Sequence, residues 1–298
     1  MQHLQPNTTL QGGKNKIERV LGLGGFGRVF IVLFFILLPV CVMAQASGGQ
    51  IRRPKPTTTA PSTRRSSTEM TQSEKERIIN NMVNNMVFVE GGTYTMWANN
   101  QYGSDKNTIK MQCPPSTVSS FYMGKYEVTQ EEWIAVMGNN PSRFKGRKKP
   151  VECVCWDDCL AFIQKLNSIT GMNFRMPTEA EWEFAARGGL RSRGYEYAGS
   201  NDINTVAWFI DKCWKNNDKS PDHGTRNVGL LQPNELGLYD MSGNVDEWCY
   251  PYGNKPGNTF YAARGGSWNA GAESCSLSHW GQCQKDLKSH DKGLRIIR

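Results

Sequence analysis

Hydrophobic and polar positions in the middle of the chain predict three capped helices. Residues 129–132 read Thr-Gln-Glu-Glu, a capping box in which the Thr hydroxyl and the second Glu satisfy free N–H groups at a helix start. Residues 178–181 repeat this signal before a second apolar stripe, which Gly188 ends. Between the two boxes, we expect Asp157 to cap a helix that Gly171 closes.

Shorter apolar runs on the N-terminal side of these helices predict strands. Residues 73–85 have the pattern of one more short helix. Residues 87–96 indicate a hairpin with its glycines at the turn, and residues 121–128 indicate another strand. Beyond Leu190 the periodicity is weak, turn residues dominate and no internal repeat is found. The combination predicts an α+β domain that contains much ordered loop.

An apolar segment near the N-terminus predicts export. Residues 29–43 are uncharged and apolar, but they are shorter than the roughly 20 residues of a spanning helix. Basic residues precede the segment, and Ala44-Gln45-Ala46 follows it with the small-x-small pattern of a signal-peptidase site. We expect residues 1–46 to be a signal peptide that is cleaved after Ala46, and the protein to be extracytoplasmic. The alternative is an uncleaved N-terminal anchor, which is the only membrane contact we expect.

A glycine-rich stretch inside this leader resembles a nucleotide-binding loop. Residues 16–29 end in the pattern G-x-G-x-x-G-x-V and are similar to the opening of a bacterial serine/threonine kinase. A kinase also needs a β3 lysine, an H-R-D loop and a D-F-G motif, and none of these follows. A kinase-related chimera is therefore an unfavoured alternative, and export would also remove the chain from cytosolic ATP.

The charge distribution separates a linker from the folded body. Residues 47–75 are rich in Thr, Ser, Pro and Arg with few large apolar side chains, so we expect a disordered linker. Residues 1–75 hold ten Lys/Arg and three Asp/Glu, so +7 of the net charge of +8 lies there. The body from residue 76 to residue 298 is nearly neutral, and we expect no nucleic-acid binding.

Several blocks of the body, in a fixed order, resemble the formylglycine-generating enzyme or sulfatase-modifying-factor family. The most specific block is FRMPTEAEWEFAARGG at residues 174–189. The resemblance implies that residues 76–298 form one domain with the loop-rich C-type-lectin-like fold of this family, in the α+β class. The other blocks are residues 124–129, 150–152, 233–245, 247–248, 264–268 and 293–295.

The resemblance implies a calcium loop. In relatives, a G-N-x-W-E-W loop binds calcium through oxygen atoms, which this ion prefers. Asn244 and Glu247 stand at the corresponding positions, and Asp246 replaces the first tryptophan of the motif. Ca2+ bound by Asn244 and Glu247 is therefore one expectation, and a polar turn without metal is the alternative.

The resemblance also implies an oxidase site, which this chain has only in part. The family uses two reactive cysteines, five residues apart after the R-G-G-S block, to bind copper(I), an ion that selects thiolates. Cys275 stands at the second position, Ala270 at the first, and Ser267 is retained. Cys275 and Ser267 are the candidate catalytic residues, but one thiolate does not make a two-thiolate site, so we do not expect Cu+ to bind. Cys283 would complete the pair only if the backbone took another course.

The cysteines also allow structural interpretations. In an oxidising compartment, disulfides are plausible, and Cys275 has Cys159, Cys249 and Cys283 as possible partners. The C-x-C sequence that begins at Cys153 has no second matching half and no nearby His, so we do not expect zinc.

These observations favour a non-oxidase role over catalysis. The leading hypothesis is an exported binding or accessory module whose ligand is a protein or a carbohydrate, and fold alone does not choose between them. The alternative is a formylglycine-generating oxidase that acts on the cysteine of a sulfatase. Candidate ligand contacts are Trp268, Trp280, Tyr250 and Tyr252, although core packing is the commoner role of each.

Overall fold

The structure, a computed structural model, describes residues 70–100, 109–214, 223–250 and 260–298, with the backbone alone for residues 97–100, 109–113 and 260. The leader, the linker before residue 70 and the kinase-like stretch lie outside the described residues. Among the described helices, none combines the length and the apolar character needed to cross a membrane. The helices are α1 Gln72–Asn84, α2 Gln130–Met137, α3 Trp156–Thr170, α4 Glu179–Ala186, α5 Ile203–Val206 and α6 Ile210–Cys213, with 3₁₀ turns at Gly189–Arg191 and Ala272–Cys275. The strands are β1 Met86–Val89, β2 Gly92–Asn100, β3 Ile109–Val118, β4 Phe121–Gly124, β5 Asp246–Cys249, β6 Phe260–Arg264, β7 Gly281–Gln284 and β8 Lys292–Gly293.

The strands form three small sheets, and one sequence prediction about them is wrong. Strands β1 and β2 do not pair as a hairpin, because β1 pairs antiparallel with β4 and β2 pairs antiparallel with β3. Gly91, which lies between the two strands, allows close packing against residues 118–120 and does not form a hairpin turn. A Cβ at Gly91 would lie 2.5 Å from the carbonyl oxygen of Val118 and 2.6 Å from the amide nitrogen of Ser120. The third sheet has the order β7-β6-β5-β8 and carries the loops of the candidate site.

The helix caps follow the sequence closely. Both predicted capping boxes, at Thr129 and at Thr178, are present. The third helix begins earlier than predicted, because Cys155 is its N-cap and the Asp158 carboxylate accepts the Cys155 N–H at 3.0 Å. Asp157 therefore lies in the first turn and does not cap the helix. Gly171 ends this helix in the left-handed conformation, as predicted.

The C-terminal segment threads between elements from the N-terminal half and joins them. The Ile297 backbone forms isolated bridges to Met123 of β4 and to Arg175 before α4. The Val128 N–H donates to the Leu294 carbonyl at 2.9 Å. Because this segment lies between two apolar clusters, it connects them. The first cluster is centred on Trp133, Phe162, Leu166, Trp248 and Leu294, and the second on Met123, Trp182, Phe184, Leu238 and Ile297.

A buried ion pair lies at the junction of β5, α4 and the C-terminal segment. The Arg295 guanidinium donates to the Glu247 carboxylate at 2.7 Å, and both side chains are almost fully buried. Arg295 also donates to the carbonyls of Gly124 at 3.0 Å and Tyr239 at 2.8 Å. The indole N–H of Trp182 donates to the second Glu247 oxygen at 2.6 Å. Each buried charge therefore has partners that offset its loss of hydration.

Replacing Arg295 with Met is expected to lower the free energy of unfolding by about 3–5 kcal/mol, since Glu247 would remain buried without its cation. The measurement is chemical denaturation of the purified variant. Arg191→Met, at an exposed position, is the matched control and is expected to change stability by no more than about 0.5 kcal/mol. A loss below about 1 kcal/mol in Arg295→Met would show that the pair is not needed for folding.

A second buried carboxylate in this region makes stability depend on pH. Burial, reinforced by the charge of Glu247, raises the pKa of Asp240 to about 6, although the Gly229 N–H and Arg295 partly oppose the shift. The folded protein therefore binds this proton more tightly than the unfolded chain does. The associated stabilisation is complete at acidic pH and is lost as the pH rises through about 6.

As the pH rises from about 4 to about 7, the free energy of unfolding of Asp240→Asn is expected to increase relative to that of the wild type by about 2–3 kcal/mol, because the amide does not titrate. Asn keeps an acceptor for the Gly229 N–H and tolerates the positive φ of 55° at this position. The readout is the difference between the unfolding free energies of the two proteins as a function of pH. Asp286→Asn, at an exposed site, serves as the control. A difference that does not change with pH would contradict the raised pKa of Asp240.

Candidate functional site

The three positions that correspond to the family's oxidase residues lie in one turn after β6. The Ala270 N–H donates to the Ser267 carbonyl at 3.0 Å, and the Ser267 N–H donates to the Cys275 sulfur. Gly266 is tightly packed there, because a Cβ at this position would lie 2.8 Å from the Cys275 sulfur. The structure thus brings together Ser267, Ala270 and Cys275, and Ala270 supplies no metal-binding atom.

Cys275 is placed as a buried thiol and not as a reactive thiolate. Its side chain is fully buried in a third apolar cluster with Tyr197, Val206 and Phe209. Burial raises the pKa of the Cys275 thiol, and the nearby charge of Asp246 raises it further. A copper(I) site needs two thiolates, so the pair Ala270 and Cys275 does not fit this ion.

The carboxylate that replaces the family's tryptophan holds the same turn in place. Asp246 accepts the Gly266 N–H at 2.8 Å and the Lys292 ammonium at 2.7 Å. Lys292 is buried and also contacts Asp291 at 3.1 Å. The sequence shows the substitution at Asp246, but it does not show that Lys292, on β8, is its partner. The residue at this position therefore forms an ion pair whose carboxylate acts on the Cys275 thiol.

The two candidate calcium ligands have other partners in this structure. Glu247 accepts from Arg295 and Trp182 with both of its oxygens. The Asn244 amide oxygen accepts the Arg226 N–H at 2.9 Å, and its NH₂ group donates to Glu127 at 2.6 Å. Across the described part of the chain, no group of three or more His, Cys, Asp or Glu side chains converges as a metal site. As placed, the side-chain oxygens of Asn244 and Glu247 already have hydrogen-bond partners that a calcium ion would have to displace, and calcium at this loop stays a prediction.

The remaining cysteines lie apart from the turn after β6, with one exception. Cys159 and Cys249 are buried in the first and second clusters, and Cys283 is half-buried on β7. None of the seven described cysteines forms a disulfide. The exception is Cys213, which is fully buried at the end of α6 and whose charge would act on the Cys275 thiol. Helix α6 is joined to this turn by the hydrogen bond from the Ile210 N–H to the Ala270 carbonyl, 3.0 Å long.

Trp268 is the centre of an aromatic face formed by Phe144, Trp214, His223, Trp268 and His290. The Trp268 ring is buried and its indole N–H donates to the His290 carbonyl at 3.1 Å. Trp214, which is 44% exposed, lies nearly parallel to it, with a centroid distance of 6.1 Å and an interplanar angle of 13°. Phe144 and His223 meet Trp268 edge-on at 5.1 Å and 4.7 Å. Trp214 is thus the exposed ring of a cluster whose centre is buried.

Four cations lie over aromatic rings in this region, namely Arg143, Lys149, Lys212 and Arg226. Arg143 and Lys149 lie 5.3 Å and 5.9 Å from the centroid of the Phe144 ring. Lys212 and Arg226 lie 4.4 Å and 5.4 Å from the centroid of the Trp208 ring. The two groups are close neighbours, because the charge of Arg226 acts on Lys149. Two cations thus lie over a ring of the aromatic face, and two lie over the ring of Trp208.

The four aromatic residues proposed from the sequence have different positions. Trp268 contributes to the aromatic face from beneath, while Tyr250 packs in the first cluster, with its ring 4.9 Å from Trp156. Trp280 is half-buried at the start of β7, and Tyr252 lies outside the described residues. Sequence reasoning missed the exposed ring of Trp214, because it belongs to a segment without clear periodicity.

Comparison with known proteins decides the family. The sequence profile of the Sulfatase-modifying factor enzyme 1-like domain matches residues 71–298. The chain is 36% identical over 262 residues to the chaperone protein LppX of Paenibacillus barcinonensis, covering 72% of this chain and 89% of LppX. This chain belongs to the sulfatase-modifying-factor family.

Matches to named enzymes of the family are shorter. The chain is 38% identical over 122 residues to inactive C-alpha-formylglycine-generating enzyme 2 of Mus musculus, and 36% identical over 123 residues to the formylglycine-generating enzyme of Thermomonospora curvata. The aligned parts are about 40% of this chain and 37% and 38% of those two proteins. An inactive and an active relative are thus equally similar, so overall identity does not indicate activity.

A solved structure supports the fold of this sulfatase-modifying-factor domain. It matches Treponema denticola variable protein 1 with a TM-score of 0.60 and 28% identity, over 71% of this chain and 94% of that one. The expected C-type-lectin-like α+β fold of the family is confirmed. Its long irregular loops carry both the turn around Cys275 and the aromatic face.

Alkylation by iodoacetamide is expected to distinguish buried from accessible cysteines in the native sulfatase-modifying-factor domain. Cys153 and Cys283 are partly exposed and should be labelled first, although burial raises the pKa of both thiols. Cys275 should stay unlabelled, because the thiolate is the nucleophile and this thiol is buried and protonated. Peptide mapping by mass spectrometry gives the labelling rates, and the denatured protein is the control. Labelling of native Cys275 as fast as Cys153 would contradict its placement.

Proposed function

We propose that this protein is an exported accessory module of the sulfatase-modifying-factor family that binds a protein client and does not oxidise it. The observation that carries the proposal is the state of the turn after β6. It holds one buried thiol, Cys275, opposite Ala270, with the Asp246 carboxylate disfavouring the thiolate. Without a thiolate pair, the family's copper chemistry has no ligand set here.

Two further observations support a binding role. LppX, which aligns with 72% of this chain, is named a chaperone protein, and chaperones act by binding polypeptides. The aromatic face is the kind of surface that recognition uses, since aromatic and Arg side chains are enriched where proteins bind one another. Export is proposed from the apolar leader at residues 29–43 and the small-x-small pattern that ends at Ala46.

The alternative is an oxidase with a rearranged thiol pair. Cys213 is buried, and a charge on it would act on Cys275, so Cys213 is the candidate for a second thiol in place of the one that Ala270 lacks. This alternative requires both thiols to lose their protons inside an apolar cluster. Burial disfavours that charged form strongly, and for this reason the binding role is preferred.

The deciding assay incubates the full-length protein with copper(I), a reductant, oxygen and a Cys-x-Pro-x-Arg peptide. Mass spectrometry then measures conversion of the peptide cysteine to an aldehyde. We expect no conversion and no tight copper(I) binding. Conversion that is lost in Cys275→Ser would overturn the proposal, and its further loss in Cys213→Ser would identify Cys213 as the second ligand.

The matched variant is Ala270→Cys, which restores a thiol at the position where the family has one. This substitution is small, and Ala270 is only partly buried. We expect copper(I) binding to increase in this variant relative to the wild type, because two thiolates five residues apart become available. Equal copper(I) binding by both proteins would show that the missing thiol is not what separates this chain from the oxidases.

A further inference from the structure

A surface loop between α2 and α3, at residues 143–149, holds a local excess of positive charge. It contains five basic residues and no acidic one, on a body whose charges nearly balance. Arg143, Lys145, Arg147 and Lys148 are exposed, and Lys149 is half-buried. We call this segment the basic loop. A charge excess of this kind on a folded domain attracts anionic partners.

The acidic side chains that contact the basic loop neutralise only part of its charge. Arg147 contacts Glu74 at 2.8 Å and Glu131 at 3.2 Å, and Lys148 also pairs with Glu131. The side chains of Arg147 and Lys148 remain 55% and 66% exposed, and ion pairs as exposed as these contribute little free energy. Two carboxylates of the described residues thus face five cations, and a net positive charge remains.

The other three cations form no ion pair within the described part of the chain. These are Arg143, Lys145 and Lys149. The Lys145 ammonium donates to the Asn140 carbonyl at 3.0 Å, a neutral acceptor that leaves its charge uncompensated. Because an ammonium has three N–H donors and a guanidinium five, these side chains keep donors for an anion.

A buried side chain holds the backbone of the basic loop in place. Gln130 is fully buried, and its amide donates to the carbonyls of Phe144 at 2.8 Å and Pro150 at 3.2 Å. The Gly146 N–H donates to the Gln130 amide oxygen at 3.0 Å. The loop therefore presents its cations from a fixed backbone, which reduces the ordering cost of binding.

The shape of the basic loop favours an extended anionic partner over a single small anion. Four of its cations are exposed, and neither the groove between α1 and α3 nor the small cavity beside Glu132 is lined by a residue of the loop. A membrane that contains anionic lipids needs no shaped pocket, since each Lys or Arg near its surface strengthens binding by about fivefold.

The chain that leads into the domain has the same chemistry. The basic loop lies beside the first turn of α1, because Arg147 contacts Glu74 there. The sequence joined to this helix holds five basic residues and no acidic one from residue 47 to residue 68, and an apolar segment lies upstream at residues 29–43. Stable attachment to a membrane commonly combines an apolar signal with a basic one.

We propose that the basic loop docks this domain onto a membrane surface that contains anionic phospholipids, with Arg143, Lys145 and Lys148 among the headgroups. The phosphates of the headgroups accept charge-assisted hydrogen bonds from these side chains. This contact goes beyond the proposed accessory role, and it adds a second membrane contact to the N-terminal segment. The apolar and basic sequence that leads into α1 favours a lipid surface over a soluble polyanion.

The test is sedimentation of the full-length protein with vesicles of phosphatidylcholine alone or of an equal mixture of phosphatidylcholine and phosphatidylglycerol. We expect at least about tenfold tighter binding to the mixed vesicles. The apolar N-terminal segment acts on both kinds of vesicle, so the ratio of the two affinities measures the contribution of charge. Binding to the mixed vesicles should fall as salt is added, since exposed charges are screened.

A triple variant locates the contact in the basic loop. Arg143→Gln, Lys145→Gln and Lys148→Gln together remove three exposed charges and leave Arg147 with its two carboxylates. We expect this variant to bind the mixed vesicles at least about tenfold more weakly than the wild type. Its binding to phosphatidylcholine alone should not change.

The matched control makes the same change in net charge at exposed positions outside the basic loop. It combines Arg191→Gln, Arg193→Gln and Arg298→Gln, and it should bind both kinds of vesicle as the wild type does. Circular dichroism confirms that both triple variants are folded.

Three outcomes would overturn the proposal. The first is equal binding of the wild type to both kinds of vesicle. The second is an equal loss in the two triple variants, which would show an effect of net charge and not of the loop. The third is a loop variant that loses binding to heparin but keeps binding to the mixed vesicles, which would make an acidic polysaccharide the partner.

Discussion

The contact between Glu247 and Arg295 organises this domain, because it joins segments that are far apart in the chain. Glu247 lies on β5, Arg295 in the C-terminal segment, and Trp182, which donates to the same carboxylate, on α4. Arg295 also binds the carbonyls of Gly124 and Tyr239. A domain with three small sheets and long loops has few continuous ladders to align its parts, and a fully bonded buried pair supplies that alignment at one point.

Adjacent acidic residues on β5 have separate roles because a strand directs alternate side chains to opposite faces. Glu247 faces the core and Arg295, whereas Asp246 faces Lys292 and the turn that contains Gly266. The second arrangement stabilises the turn but places a negative charge beside Cys275. The feature that holds the turn in place thus also disfavours the thiolate that the family's chemistry requires.

Sequence alone predicted the features that depend on local rules. The capping boxes at Thr129 and Thr178 were recognisable because a cap is decided by residues three positions apart. The family blocks predicted the fold, and the R-G-G-S block identified Ser267, Ala270 and Cys275 as the positions to compare with the family's oxidase residues. The pairing of β1 with β4, the partner of Asp246 and the exposure of Trp214 were not predictable in this way. Each depends on residues more than 30 positions apart or on a loop without periodicity.

The aromatic face and the turn around Cys275 share one backbone segment. The Ser267 N–H donates a hydrogen bond to the Cys275 sulfur. The next residue, Trp268, lies at the centre of the aromatic face, and its backbone N–H donates to the Asn244 carbonyl at 2.9 Å. The Ala270 side chain takes part in neither of the hydrogen bonds that fix Trp268 through its backbone and indole N–H groups. A methyl group or a thiol at position 270 is therefore compatible with the same placement of Trp268, so the proposed lack of a copper site and the aromatic face beside it are independent features of one turn.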